Sequence, residues 1–198
     1  MSSNEVAGQV RRRTGGRSAR VRDAVLQAAL QAMAEHGLGG VSISEIARGA
    51  GVHASSIQRR WGTRENVMLD ALLTYSQEKL PIPDTGALRG DLVAFGRSIA
   101  GYLATPLGEA VAQTMAATDD DPALAAGRTR FWQSRYDTAR VIIDRAVDRD
   151  EVSADTDPEL ALELLVAPLH FRRLLTRETV DDDFVERLVD ALMRGLAS

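Results

Sequence analysis

The sequence predicts an all-α protein in two parts: a small N-terminal helical domain over residues 20–80 and a larger helical domain over residues 86–198, preceded by a disordered basic arm at residues 1–19. Three observations carry this expectation. Apolar residues recur at helical spacing along most of the chain, and no alternating strand pattern competes with them. Alanine, leucine and arginine, all good helix formers, are plentiful, whereas aromatic residues make up only 5%. Pro106, Pro122 and Pro158 fall where helices would begin, and glycines fall where they would end.

The arm holds Arg11, Arg12, Arg13 and Arg17 among polar residues and glycines. A first helix is expected from Ser18 to His36, with Val21, Val25, Ala28, Ala29 and Met33 on its apolar face, closed by Gly37 and the Gly39–Gly40 pair. In VSISEIARGAG, Ser42 is a natural N-cap and Glu45 lies three residues on, the spacing of a capping box, with Val41 set to pack on Ile46. The second helix can hold only about two turns before Gly51. A third follows from about His53 to Arg60 and ends near Gly62; Thr63 caps a fourth that carries Val67, Ala71, Leu72 and Tyr75 on one face. PIPDTG at 81–86 marks the domain boundary, and helices are expected over 86–104, 107–117, 122–148, 158–176 and 181–196. Asp121 and Asp157 are placed to cap two of these, and Pro168 should kink or divide another.

Composition narrows the function classes. A chain of 198 residues, 44% hydrophobic and 26% charged, is ordinary globular material. There is no cysteine, so disulfides and thiolate metal sites are excluded. The basic N-terminus is followed by no apolar stretch, which argues against a secretory signal, and no run approaches the roughly 18 apolar residues of a membrane span, so a cytoplasmic location is expected. None of the three histidines has a partner at ligand spacing, and no phosphate-binding glycine loop occurs. Neither a metal site, a cofactor nor enzymatic chemistry is therefore expected. The net charge of −4 conceals a polarity: residues 1–75 hold ten Arg and no Lys against six acids, for +4, and the remainder carries −8. A basic first third can meet phosphates while an acidic remainder turns away from them.

The segment GVHASSIQRRWGTRENV, residues 51–67, focuses the question of function. Ile43, Ile46, Ala47, Val52, Ile57 and Trp61 can pack on Val25, Ala29 and Met33 to make a modest three-helix core, with Gly51 at the sharp turn. The third helix would then project His53, Ala54, Ser55, Ser56, Gln58 and Arg59 outward. Small residues allow close approach to a DNA groove, and Gln and Arg can pair with base edges. Ser42 and Thr63 stand at helix starts, whose free N–H groups suit phosphate oxygens, with Arg60 and Arg64 nearby. The arm, Arg17 included, could follow the phosphate backbone or enter the minor groove. The same residues also suit a solvated helix followed by a capped turn, so the pattern alone leaves both open.

The ordered sequence AVLQAALQAMAEHGLGGVSISEIARGAGVHASSIQRRWGTRENV resembles the N-terminal domain of TetR-family transcriptional regulators, over about residues 21–70. The resemblance implies a helix-turn-helix DNA-binding domain followed by a ligand-binding and dimerisation domain. It implies that Ser42, Thr63 and Arg64 touch phosphate, and that Ser55, Ser56 and Gln58 lie in the major groove with Arg59 and Arg60 beside them. Met33 and Trp61 stand where phenylalanine is usual, Gln58 and Arg59 where tyrosines often pack on the backbone, and Arg64 at the usual lysine. The half-site therefore cannot be borrowed from relatives.

The resemblance further implies a homodimer on a palindromic operator. Leu160, Leu164, Leu165 and Leu169, with the wide stripe Phe184, Val185, Leu188, Val189, Leu192 and Leu196, would form its contact, although either stripe could instead be plain core. Such proteins are usually repressors released by a small ligand, and Phe95, Tyr102, Met115, Trp132, Tyr136, His170 and Phe171 could wall a pocket for an apolar or aromatic effector. A helical interaction protein that no longer reads DNA is the alternative.

Overall fold

The computed structural model describes residues 15–116 and 122–196, and its described residues form ten α-helices and one π-helical segment with no strand. The N-terminal group is α1 (Gly15–Gly40), α2 (Ile43–Ala50), α3 (Ala54–Trp61) and α4 (Arg64–Lys79). The remainder is α5 (Leu88–Leu103), α6 (Pro106–Ala116), α7 (Pro122–Ala139), α8 (Val141–Asp148), α9 (Pro158–His170), the π-helical Phe171–Thr176, and α10 (Asp182–Leu196). No helix among the described residues is long and apolar enough to cross a membrane.

Local chemistry places most boundaries. The α1 backbone leaves helical geometry at Gly37, which has φ 69° and ψ 173°, so the continuous part stops after His36. Ser42 and Glu45 form the reciprocal capping box of α2, and Val41 and Ile46 beneath it are both fully buried. Asp157 accepts from the backbone N–H groups of Glu159 and Leu160, with Pro158 in the first turn of α9. At the start of the chain the structure departs from expectation: helix begins at Gly15, so residues 15–19 extend α1 rather than the arm. Residues 1–14, with Arg11, Arg12 and Arg13, and the proposed cap Asp121 lie outside the described residues.

Two further differences concern the second domain. The helix expected over 122–148 is divided at Arg140, where Ile143 N–H donates to the Arg140 carbonyl at 2.9 Å in a tighter turn; no Pro or Gly announces this break. Pro168 does not itself stop α9. It deprives the helix of one backbone donor, and from Phe171 the chain widens into π-helix until Arg177 closes it at φ 59°.

The core lies in two connected parts. Leu88, Leu92 and Ile99 of α5 pack with Ile142, Leu162, Leu165, Leu169, Val185 and Val189. Gly96 lets α10 approach α5 closely, because a Cβ there would meet Val185 Cγ1 at 2.9 Å. The other part contains Val25, Ala29, Met33, Ile46, Ala47 and Ile57, as expected, but also Val111 and Met115 of α6 and Leu124 and Phe131 of α7. The N-terminal helices therefore do not close a core by themselves. α1 with the two short helices α2 and α3 leaves part of its apolar surface to be covered by α4, α6 and α7. Val21, expected on the inner face of α1, is instead exposed.

The 81–86 connection is held by polar contacts. Asp91, fully buried, accepts from Thr85 N–H at 2.6 Å and from its hydroxyl at 2.8 Å, with Arg149 Nη2 3.6 Å from its other oxygen. Arg145 donates to the Pro83 carbonyl at 3.1 Å.

Candidate functional site

The turn between α2 and α3 is set by Gly51. It adopts left-handed φ 65° and ψ 35°, a region open to glycine at little steric cost, and its N–H closes α2 onto the Ala47 and Arg48 carbonyls. Ile57 then anchors α3 with a fully buried side chain. One face in and one face out follows from the helical period. Ser55, Gln58 and Arg59 are exposed, Ser56 is half-buried, and His53 is exposed at the N-cap without a side-chain capping bond. The side chains of Ser55, Gln58 and Arg59 make no hydrogen bond or ion pair with any described residue. α3 contains no acid and carries Arg59 and Arg60 in its last turn, so this face is cationic, and the donors of Gln58 and Arg59 are unspent among the described residues.

Other expected contact residues are already engaged. The Ser42 hydroxyl accepts from Glu45 N–H at 3.2 Å and donates to the Glu45 carboxylate at 3.0 Å. Those bonds from Ser42, side chain first and backbone next, hold the Glu45 carboxyl below its ordinary range. Thr63 Oγ1 accepts from Asn66 N–H at 3.3 Å. Arg60 reaches back to the Ser18 carbonyl and hydroxyl at 3.5 and 3.4 Å and lies over the Trp61 ring. Arg64 donates to the Val41 and Gly39 carbonyls at 3.0 and 3.2 Å and to Glu65 at 2.6 Å, clamping the α1–α2 connection. A phosphate contact by Arg64 would have to be shared with that clamp. The Arg17 side chain lies outside the described residues.

A support behind α3 was missed in the sequence. Trp61 Nε1 donates to Asp70 at 2.8 Å; Arg22 Nη2 donates to the other Asp70 oxygen at 2.5 Å and to Thr74 Oγ1 at 2.9 Å. Asn66 Nδ2 donates to the Trp61 carbonyl at 2.8 Å, and Arg130 of α7 reaches Asn66 Oδ1 at 3.4 Å. The end of α3 is thus tied to α1, α4 and, through Asn66, to α7. The available signal was Asp70 between apolar Leu69 and Ala71, a carboxylate inside a packing face that needs donors.

The second site is a small cavity in the C-terminal domain, about 50 Å³, that shares Trp132, Tyr136 and His170 with an adjoining open depression of about 570 Å³. Phe95, Tyr102, Met115, Trp132, Tyr136 and His170 all line it, as the sequence led us to expect. Phe171 does not: its side chain is 55% exposed, because it follows His170 directly and a helix turns about 100° per residue. Sequence reasoning missed Ser76, Phe131 and Arg135 in the wall. Trp132 stacks on Tyr136 and meets His170 edge-on, with ring centroids 6.1 and 5.5 Å apart. Burial lowers the His170 pKa, and its Nδ1 lies 3.0 Å from the Val166 carbonyl, which can only accept; Nδ1 is therefore the protonated nitrogen of the neutral ring. Burial raises the Tyr102 and Tyr136 phenols, which stay neutral.

The α9–α10 stripes divide. Leu165, Leu169, Val185, Val189 and Leu192 are buried within the chain, which corrects their assignment to a subunit contact: the breadth of the α10 stripe reflects an inward face beside an outer one. Leu160 and Leu164 are 52% and 51% exposed, and with half-buried Leu188 and Leu196 they line a groove between the two helices. Phe171 and Leu175 are exposed further along, and half-buried Phe184 lies beside Phe171 in a neighbouring depression.

Comparison with known proteins agrees with this anatomy. Residues 25–71 match the model of bacterial regulatory proteins of the tetR family, and residues 82–192 match the tetracyclin repressor-like C-terminal domain. The chain is 36% identical over 170 residues to the HTH-type transcriptional regulator AqdR of Rhodococcus erythropolis, covering 86% of this chain and 81% of that protein. It is 30% identical over 174 residues to YdeS of Bacillus subtilis strain 168, covering 87% and 88%. The solved TetR-family regulator SCO0332 superposes with a TM-score of 0.75 at 26% identity, over 90% of this chain and all of that one. With a helix-turn-helix that displays a basic face and a helical second domain that matches over its length, the protein belongs to the TetR family of transcriptional regulators. It is a helix-turn-helix DNA-binding transcriptional regulator.

Proposed function

We propose that the protein is a homodimeric transcriptional repressor in the cytoplasm that leaves a palindromic operator when a small ligand fills the C-terminal cavity. The observation that carries this reading is the exposed face of α3, where Ser55, Gln58 and Arg59 have no partner among described residues. Arg59 and Gln58 read base edges in the major groove, Ser55 and Ser56 permit close approach, and His53 borders the same face. Ser42, Thr63 and Arg64 would meet the DNA backbone, with Arg60 flanking. Two such helices, about one DNA turn apart, would cover two half-sites. Pairing through Leu160, Leu164, Leu188 and Leu196, with Phe184 at the edge, would bring them together and cover the exposed apolar groove.

Continuity between cavity and reading head supports coupling. Val111, Met115 and Phe131 line the cavity and belong to the same core as Val25 and Ile57. A ligand that displaces α6 or α7 therefore strains the packing of α1 and α4, and Arg130 carries the shift to Asn66 and the end of α3. Release requires that the ligand prefer the conformation that DNA does not.

Selection of fragments from a genomic DNA pool, followed by mobility shift at two salt concentrations, tests the proposal. Wild type should retain a palindromic sequence that Gln58→Ala/Arg59→Ala loses. Each good bidentate base contact is worth about 1–3 kcal/mol, so the double variant should bind at least tenfold more weakly. Weak binding that is indifferent to sequence and abolished by salt would instead favour a helical interaction protein that no longer reads DNA.

A further inference from the structure

We infer that the cavity receives an amphipathic organic acid, its carboxylate paired with Arg135 and its apolar body lying among Phe95, Trp132 and Tyr136. This deepens, and rests on, the effector cavity described above. Three polar or charged residues are buried among those described: Ser76, Asp91 and Arg135. The first two are answered from within the chain. Ser76 donates to the Leu73 carbonyl at 3.1 Å, and Asp91 is met by Thr85 and Arg149. Arg135 has no such answer among the described residues: its side chain lines the cavity, only 7% of the residue is exposed, its Nη1 has no hydrogen-bond partner, and no described carboxylate lies within ion-pair distance.

A guanidinium keeps its proton under these conditions, so neutralisation offers no escape from the cost of burial. An unpaired buried charge destabilises a fold, and replacing it with an apolar residue of similar volume is commonly neutral or stabilising. Packing therefore gives no reason for arginine here. A ligand anion does, because a carboxylate matches the guanidinium fork with two parallel hydrogen bonds in a site of low dielectric constant. The rest of the wall is apolar or neutral, including the protonated phenol of Tyr102, so Arg135 sets the sign of the field inside. The adjoining wider depression carries both signs, Glu159 and Glu163 with Arg128, so the buried Arg135 is the cation that the depth of the cavity offers an anion. The cavity itself, about 50 Å³, is smaller than the roughly 300–1,000 Å³ of small-ligand sites, so the body of a medium-chain or two-ring acid extends from Arg135 past Trp132, Tyr136 and His170 into the adjoining depression of about 570 Å³.

Calorimetric titration of the full-length protein with matched probes tests this: decanoate against decan-1-ol, 2-naphthoate against 2-naphthamide, and decyltrimethylammonium as the cation. At least one acid should bind tenfold or more tightly than its neutral counterpart. Arg135→Gln should bring the pair within twofold of each other, and Arg135→Lys should keep part of the preference. Melting of the ligand-free protein gives an independent readout, since Arg135→Met should raise Tm while removing the Tm rise that the acid produces in wild type. Equal or tighter binding of the neutral probes, tighter binding of the cation, no binding of either acid, or a preference that survives Arg135→Gln would each overturn the inference. If Arg135→Gln fails to fold, the wild-type pairs and Arg135→Lys decide. Mobility shift in the presence of the probes separates the two levels. An acid held by Arg135 that leaves the DNA complex intact supports this site and refutes ligand release. Release by neutral probes without any acid preference does the reverse.

Discussion

Asp70→Ala removes the carboxylate on which the end of the recognition helix rests. Its two oxygens accept from Trp61 Nε1 at 2.8 Å and from Arg22 Nη2 at 2.5 Å, so one substitution orphans a donor on α3 and another on α1. A hydrogen bond to a charged acceptor contributes about 1.5–3 kcal/mol. The Arg22 and Asp70 side chains are 29% and 31% exposed, so their pairing is screened and is set at about 0.5–1 kcal/mol. The loss should therefore total about 2–4 kcal/mol, which for a chain of this size lowers Tm by about 4–16 °C. Asp70→Asn keeps an acceptor for one donor and should fall about halfway between. Thermal melting followed by circular dichroism measures the effect, and operator affinity should fall with it because Trp61 no longer holds the last turn of α3. A double-mutant cycle with Trp61→Phe isolates the pair. A Tm change below about 1 °C for Asp70→Ala, or strict additivity in the cycle, would refute the supporting role and leave the contact a surface ion pair of no consequence.

Two further outcomes follow from other parts of the molecule. Leu160→Glu/Leu164→Glu places charges on the outer α9 face while leaving Leu165 and Leu169 in place; light scattering should then report a mass near 21.4 kDa rather than twice that, with the helical spectrum retained. An unchanged dimer would move the subunit contact elsewhere. The His170 pKa lies below its ordinary 6.5 because burial disfavours the cation. Between the folded value and about 6.5 the unfolded chain binds the extra proton, so this residue withdraws stability as pH falls through that window and has no such effect above it. The His170 Cε1–H resonance should titrate below the ordinary value, and His170→Phe should flatten the loss of Tm below pH about 6.5. Ordinary titration in the folded protein would place the ring in water.

Elements built from neighbouring residues were legible before any fold was known. Ser42 with Glu45, Gly51, Thr63 and Asp157 act on backbone groups a few positions away, so their consequences travel with the sequence. The outward face of α3 was legible for the same reason, because a helix of known start has a known phase. So was the aromatic content of the cavity, since large apolar residues in a helical domain with few of them tend to gather. Other features depend on which distant residues meet. Leu165 and Leu164 are adjacent in sequence and both leucine, yet one is fully buried and the other half exposed. Hydrophobicity chooses neither; the position of α5 and α10 against α9 does. Arg64 reads as a phosphate contact by composition, and only the approach of α4 to the α1–α2 connection makes it a clamp. Asp70 finds Trp61 and Arg22, and Arg135 finds no carboxylate among the described residues, through the crossing of helices far apart in the chain. Caps and turns are settled by local hydrogen bonding, whereas partners are settled by tertiary packing, which assigns each charge its neighbours only after the helices have docked.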